Sequence, residues 1–137
     1  MKTLIKNGNI VLPDCSGFAQ IDVLIENGKI LSMGNNLLGD NVFDAKGKYI
    51  LPGLIDIHNH GSIGSNFGNG NKDSKILRYL AEHGITTVLP TLGTNTIDVL
   101  IERIKNVLEV KKTDINGARI GGIHLEGPFI SEEKKGL

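Results

Sequence analysis

Short runs of alternating apolar and polar side chains fill the first fifty residues, and glycine-containing turns separate them. The turns are Asn7-Gly8, Asn27-Gly28 and Lys46-Gly47, and each lies between two such runs. Asn-Gly in this setting is a strong hairpin signal, because a type I′ turn needs positive φ at both central residues. Residues 1–51 are therefore predicted to form a small antiparallel β unit.

The pattern changes after Pro52-Gly53, where β-branched runs alternate with helical repeats. The predicted strands cover 54–58, 85–89 and 119–126, and the predicted helices cover 72–83 and 95–112. In the second helix, apolar residues recur at three- and four-residue spacing: Ile97, Leu100, Ile101, Ile104, Val107 and Leu108. We expect Gly84 to end the first helix and Pro90 to end the second strand. Of the threonines that follow Pro90, we expect at least one to cap the second helix, with Thr94 or Thr96 at its start.

The order β-α-β-α-β over 52–137 implies parallel strands joined by right-handed crossovers. Each βα unit takes roughly thirty residues, as in a (β/α)8 barrel, but a complete barrel needs ~250 residues. The chain has 137 residues in all. Residues 52–137 are therefore either a smaller open α/β sheet or the first part of a longer barrel, preceded by the β unit of 1–51.

Composition narrows the function classes. The 15 basic and 15 acidic side chains balance, which disfavours partners rich in phosphate, both nucleic acid and membrane surfaces. A single cysteine, Cys15, excludes an intrachain disulfide framework, and no apolar run approaches the ~20 residues of a membrane span. We therefore expect a soluble cytoplasmic protein. The 18 glycines make up a larger share of the 137 residues than the usual ~7%. They indicate many turns or close backbone approaches.

Two histidines follow the first strand of the second half. If the strand extends through His60, then Asp56, His58 and His60 share one face, because alternate side chains of a strand point the same way. Two imidazoles at this spacing suit a divalent metal such as zinc. The alternative is a pair of surface-loop histidines without a ligand. Their place after an apolar strand and before a glycine-rich loop favours the metal.

Glu126 ends the third predicted strand and shares a face with His124. A charged side chain facing inward is expected to be paired or bound to a metal. In a barrel, alternate strands contribute side chains to the same layer of the interior. Glu126, His58 and His60 can therefore converge on one ion. Glu126 could otherwise accept hydrogen bonds from the backbone around Gly127, and His124 is expected to have a supporting or structural role.

The segment Pro52 to Gly61 resembles the first-strand signature of the amidohydrolase superfamily. A narrower resemblance joins Gly122-Ile123-His124-Leu125-Glu126-Gly127-Pro128-Phe129-Ile130, the following Lys134-Lys135-Gly136, and the earlier run from Gly84 to Thr91. Together these segments resemble the family of N-acetylglucosamine-6-phosphate deacetylases. The resemblance covers the whole chain but only about the first third of a family member.

This resemblance implies a metal-dependent (β/α)8 TIM barrel preceded by part of a small β-sandwich. It implies hydrolysis of the N-acetyl group of N-acetylglucosamine 6-phosphate, with one or two divalent ions, zinc or iron. The family's metal ligands fall on Glu126 and, where the His-x-His pair is kept, on His58 and His60. Leu137 falls where the family backbone borders the sugar.

The family's catalytic aspartate and two later histidine ligands have no counterpart in these residues. The chain alone is therefore expected to be inactive, and to self-associate or to require the remainder of a family member. For the full-length family, the resemblance implies a homodimer. One alternative is another amidohydrolase, such as a cyclic amidase, but its usual strand-four lysine differs from a strand-three glutamate. A second alternative is a non-catalytic metal-binding or interaction module.

Overall fold

The computed structural model describes residues 1–113, 115–131 and 133. The chain divides into two compact units, Met1–Pro52 and Gly53–Leu137, which are described separately. The elements of the first unit are β1 (Lys2–Lys6), β2 (Asn9–Val11), β3 (Phe18–Gln20), β4 (Asp22–Glu26), β5 (Lys29–Gly34), β6 (Asn41–Asp44) and β7 (Tyr49–Ile50). Those of the second are β8 (Leu54–Asn59), β9 (Gly61–Ser62), β10 (Ser65–Asn66), α1 (Asn71–Glu82), β11 (Ile85–Gly93), α2 (Ile97–Lys111), β12 (Arg119–Ile120) and β13 (His124–Glu126).

The first unit consists of two small sheets, with strand orders β5-β4-β1-β6 and β3-β2-β7. The predicted Asn27-Gly28 hairpin is confirmed: β4 and β5 pair in antiparallel fashion around it. Asn27 and Gly28 have φ of 51° and 72°, the positive values that a type I′ turn requires. The apolar side chains buried in this unit are Leu4, Ile10, Val23, Leu24 and Ala45.

The other two hairpin predictions are wrong, and the sheets are mixed rather than purely antiparallel. β1 and β2 lie in different sheets, while β6 pairs in parallel with β1 and β7 pairs in parallel with β2. Asn7 alone has positive φ at its turn, at 62°. Gly8 is instead needed for close packing, because a Cβ there would overlap the side chain of Ile50. The glycine at this position therefore marks a close approach between two parts of the chain, and not a hairpin turn. The chain passes from one sheet to the other at this point.

The second unit has the predicted β-α-β-α-β order, with β11 at its centre. β11 pairs in parallel with β8 on one side and with β12 and β13 on the other. The core under these strands is a single cluster of buried side chains: Phe67, Ile76, Leu77, Leu80, Val88, Leu92, Leu100, Val107, Val110, Ala118 and Ile120. Parallel neighbours at the central strand bring the carboxyl ends of β8 and β13 to the same edge.

Both helices form where the apolar spacing predicts them, but their ends and faces differ in detail. Gly84, with φ of 84°, follows the C-cap residue of α1, as expected of a glycine that ends a helix. Only one side of the predicted apolar face of α2 is buried, since Ile97, Ile101 and Leu108 are exposed. Thr96 is the N-cap residue of α2, as one of the two predicted alternatives, but its side chain makes no capping hydrogen bond. Within the described residues, no helix is both long and apolar enough to cross a membrane.

The strand ends also differ from prediction. β11 continues through Pro90 to Gly93, because β13 pairs with its last residues. The predicted third strand is divided into β12 and β13 by residues 121–123. β8 ends at Asn59, so His60 lies beyond the strand. Ile55 and Ile57, on the side of β8 opposite His58 in the pleat, are 67% and 66% exposed.

Candidate metal centre

The carboxyl end of β8 brings His58 and His60 together through polar side chains of the same segment. The two Asp56 carboxylate oxygens accept hydrogen bonds from the His58 backbone N–H at 3.1 Å and from the Asn59 side-chain amide at 2.8 Å. Asn59 Oδ1 in turn accepts from the Gly61 N–H at 2.9 Å. These bonds fix the backbone on both sides of His60, and the two imidazole Nε2 atoms lie 3.3 Å apart.

Glu126 approaches this pair from the end of β13. Its Oε2 lies 2.9 Å from His60 Nε2 and 3.5 Å from His58 Nε2. The Thr94 hydroxyl, just after β11, donates to the Glu126 carbonyl at 2.9 Å and ties this strand end to its neighbour. All three side chains are about half exposed. The predicted trio is therefore brought together, and one donor atom from each lies within 4.8 Å of the others.

The spacing of these donor atoms fits a divalent ion. Metal–ligand bonds of about 2.0–2.2 Å separate two ligands of a tetrahedral ion by roughly 3.3–3.6 Å. The separations of His58 Nε2 from His60 Nε2 and from Glu126 Oε2 are 3.3 Å and 3.5 Å. The third separation, 2.9 Å, is that of a hydrogen bond between His60 and Glu126. Two imidazoles and one carboxylate suit zinc or iron, and they accommodate such an ion with only a small outward shift of one side chain.

His124 lies beside the donor group rather than within it. Its ring meets the His58 ring edge-on, with centroids 4.7 Å apart. Its Nδ1 lies 3.1 Å from the hydroxyl oxygen of Thr91 on β11. This arrangement matches the supporting role that the sequence pattern indicates for His124.

Several polar residues around the site make contacts that the sequence pattern did not predict. Asp56 and Asn59 organise the strand end, and the Thr91 hydroxyl bonds across strands instead of capping a helix. The D-x-x-N spacing of the first pair was visible in the sequence, but nothing local could indicate the partners of Thr91. Leu137, the predicted sugar contact, and the Lys134-Lys135-Gly136 segment lie outside the described residues.

Asp73, in the first turn of α1, was also missed. Its carboxylate is fully buried and accepts hydrogen bonds from the backbone N–H groups of Gly68 and Asn69 at 3.0 Å and 3.2 Å. No ion pair to Asp73 occurs in the described part of the chain. Burial raises its pKa, although the two hydrogen bonds act in the opposite direction. The same loop is tied to the site, because the Phe67 N–H donates to the His60 carbonyl at 2.9 Å.

Comparison with known proteins connects this geometry to a family. A curated N-acetylglucosamine-6-phosphate deacetylase from Danio rerio is 35% identical over 125 residues, which cover 84% of this chain. The crystal structure of the Thermotoga maritima deacetylase is 30% identical over 97% of this chain, with a TM-score of 0.76. Over its matched length, the chain belongs to the N-acetylglucosamine-6-phosphate deacetylase family. The Pasteurella multocida deacetylase structure matches the entire chain with a TM-score of 0.82 at 24% identity, which extends the likeness in fold.

These matches confirm the resemblance to the deacetylase family and the fold class that the resemblance implied. The chain spans only about a third of the length of these relatives, 31% of the Danio rerio protein and 34% of the Thermotoga maritima chain. A shorter match reaches another amidohydrolase: a Lactobacillus acidophilus dihydroorotase is 50% identical over 60 residues, 44% of this chain and 14% of that protein. A scan against family models gave no match.

Proposed function

We propose that this chain supplies the metal-binding N-terminal part of an N-acetylglucosamine-6-phosphate deacetylase. The reaction is hydrolysis: water adds to the acetamide carbonyl, the C–N bond breaks, and acetate and the amine of glucosamine 6-phosphate are released. The observation that carries the proposal is the convergence of His58, His60 and Glu126 at one strand edge, in a chain whose relatives are named for this activity.

In the proposal, His58 Nε2, His60 Nε2 and Glu126 Oε2 hold one divalent ion, zinc or iron, and a second ion can share the site when further ligands are supplied. When bound, such an ion lowers the pKa of a coordinated water and polarises the amide carbonyl. Two neutral imidazoles and one carboxylate leave a net positive charge on the site. That charge favours both the ionised water and the developing oxyanion of the acetamide.

The chain's own residues have two further tasks. The Asp56 and Thr94 hydrogen bonds hold the strand ends, so that the ligands need little rearrangement to meet the ion. Half-exposed ligand side chains leave an open side from which a sugar phosphate can approach. The aspartate that acts as general base and acid in the family belongs to a later strand. We therefore expect no deacetylation by the 137-residue chain alone.

A second candidate is hydrolysis of a cyclic amide, favoured by the 60-residue match to dihydroorotase. The first-strand histidines belong to the signature that the amidohydrolase resemblance implies for both kinds of enzyme, so His58 and His60 do not separate the two reactions. Match length alone does not separate the candidates, because a D-hydantoinase structure is also 30% identical over 97% of this chain. The deacetylase is preferred because its structure has the higher TM-score, 0.76 against 0.65, and because a curated deacetylase matches 84% of the chain against 44% for the dihydroorotase. The glutamate on the third strand, Glu126, also follows the deacetylase pattern.

A chimera tests the function directly. This chain replaces the matched N-terminal segment of the Thermotoga maritima deacetylase, and acetate release from N-acetylglucosamine 6-phosphate and opening of dihydroorotate are both measured. We expect deacetylation, reduced ~100-fold or more by Glu126→Gln, because several kcal/mol of transition-state stabilisation depend on the ion. The matched control is Glu102→Gln, an exposed glutamate on α2, which should leave the rate unchanged. A folded chimera that opens dihydroorotate and releases no acetate would favour the second candidate.

The proposal also carries expectations about setting and partners. Its substrate is a phosphorylated sugar, which does not cross membranes unaided, so we infer a cytoplasmic location. A homodimer of the whole enzyme is proposed from the family resemblance. For the 137-residue chain, exposed apolar residues such as Ile55 and Ile57 on β8 favour self-association.

A further inference from the structure

Thr91 is a buried polar residue on the central strand, and its hydroxyl contacts both neighbouring strands. Its relative exposure is 2%. The Asn59 backbone N–H of β8 donates to Thr91 Oγ1 at 2.9 Å, and His124 Nδ1 of β13 lies 3.1 Å from the same oxygen. A single hydroxyl therefore joins the two strands that carry the proposed metal ligands.

The irregular pairing of β8 with β11 explains why a side chain is needed here. The ladder shifts register between Val88 and Pro90, and Pro90 lies opposite Asn59. At this break the Asn59 N–H finds its acceptor in the Thr91 side chain, and it avoids the penalty of an unpaired buried donor.

Each contact of Thr91 leads directly to a proposed ligand. Asn59 lies between His58 and His60 in the sequence, so a fixed Asn59 N–H fixes the backbone from which both imidazoles extend. The His124 ring, oriented by the hydroxyl, packs edge-on against the His58 ring with centroids 4.7 Å apart. We propose that Thr91 is a positioning residue, whose hydroxyl sets the orientation of His58 and His60 for metal binding. This inference rests on the proposed metal site and deepens it.

The role requires a hydroxyl and not merely a side chain of this shape. Valine has nearly the same shape as threonine but no acceptor, so Thr91→Val takes the acceptor away from the partly buried Asn59 N–H. Serine keeps the hydroxyl and loses only a methyl group. Residues that orient metal ligands typically change metal affinity by ~10–100-fold when they are replaced. We expect a loss in that range for Thr91→Val and near-complete retention for Thr91→Ser.

The test is a titration of the purified chain with Co²⁺, followed by its visible absorption, which reports the ligand geometry. The matched control is Thr87→Val, the same change on the same strand where it pairs with Ile55 and Arg119. The expected result is weaker binding and an altered spectrum for Thr91→Val only. Equal affinity and spectra for Thr91→Val and the unsubstituted chain would overturn the inference while leaving the metal site intact. No Co²⁺ binding by the unsubstituted chain would overturn the metal site and the inference together.

A second measurement does not depend on how well a variant folds. In the unsubstituted chain, amide hydrogen exchange at Asn59 reports its bond to Thr91. We expect Asn59 to exchange as slowly as the β11 amides in the ladder with β8 and β12. Rapid exchange at Asn59, with slow exchange along β11, would mean that the hydroxyl does not hold this backbone and would overturn the inference. Loss of this protection in Thr91→Val and its return in Thr91→Ser would support it.

Discussion

Asp73 offers the most informative test of how the loop after His60 is held. Its buried carboxylate accepts two backbone hydrogen bonds, from Gly68 at 3.0 Å and Asn69 at 3.2 Å. Removing a partner from a buried donor costs about 1–3 kcal/mol for each group. Asp73→Ala removes both acceptors but also relieves the burial of a charge. We therefore expect a net loss of about 2–4 kcal/mol in the free energy of unfolding, and a smaller loss for Asp73→Asn, which keeps one acceptor oxygen.

The pH dependence of the same residue has a definite sign. Burial raises the pKa of Asp73 above its ordinary value of 3.8, so the folded state holds this proton more tightly than the unfolded state. Its stabilising contribution is then fully present below pH 3.8 and is lost as pH rises through the raised pKa. The stability of the unsubstituted chain, measured relative to Asp73→Asn, should therefore fall between about pH 4 and about pH 7.

The assay is urea unfolding of the unsubstituted chain, Asp73→Asn and Asp73→Ala at both pH values. Subtracting the Asp73→Asn values removes the titration of every other group that the two proteins share. A difference that does not change with pH, or that grows as pH rises, would mean that the hydrogen bonds from Gly68 and Asn69 outweigh burial. That outcome would refute the reasoning about this carboxylate.

Two further predictions concern packing and surface charge. Ile76→Ala empties a fully buried position in the core under β11, and should cost about 2–5 kcal/mol in urea unfolding; a loss below ~1 kcal/mol would contradict the burial of that side chain. Lys112→Gln removes the ion pair between Lys112 and Glu109, two side chains that are 69% and 70% exposed. It should change stability by no more than ~0.5 kcal/mol, and a loss above ~1 kcal/mol would contradict the view that solvent screens this pair.

The sequence predicted the order of elements in the second unit because those patterns are local. Period-2 and period-3.6 spacing determine which residues face a core, and Ile76, Leu80 and Leu100 lie buried where that spacing predicts. The same spacing placed His58 and Glu126 on strands that end at one edge. What local patterns do not specify is which strands pair. Asn7-Gly8 accordingly indicated a hairpin, whereas β1 and β2 belong to different sheets.

Sequence patterns could not predict the details of the candidate site. His60 lies beyond the end of β8. Hydrogen bonds of Asp56 and Asn59, and not the alternation of side chains along a strand, hold the backbone that places His60 beside His58. The bond from Asn59 to Thr91 joins residues 32 apart in the sequence. Side-chain bonds of this kind arise where two strands pair irregularly. They become visible only once the pairing of β8 with β11 is known.

Metal analysis of the purified chain shows whether His58, His60 and Glu126 bind an ion. The chain is dialysed against Zn²⁺, and the bound metal is counted for the unsubstituted protein, for Glu126→Gln and for His58→Ala/His60→Ala. His83→Gln is the control, since His83 lies at the end of α1 with its Nδ1 2.8 Å from the Tyr79 carbonyl oxygen. We expect bound zinc in the unsubstituted chain and in His83→Gln, and no bound zinc in the other two variants. Zinc that is retained without His58 and His60, or absent from the unsubstituted chain, would contradict this expectation.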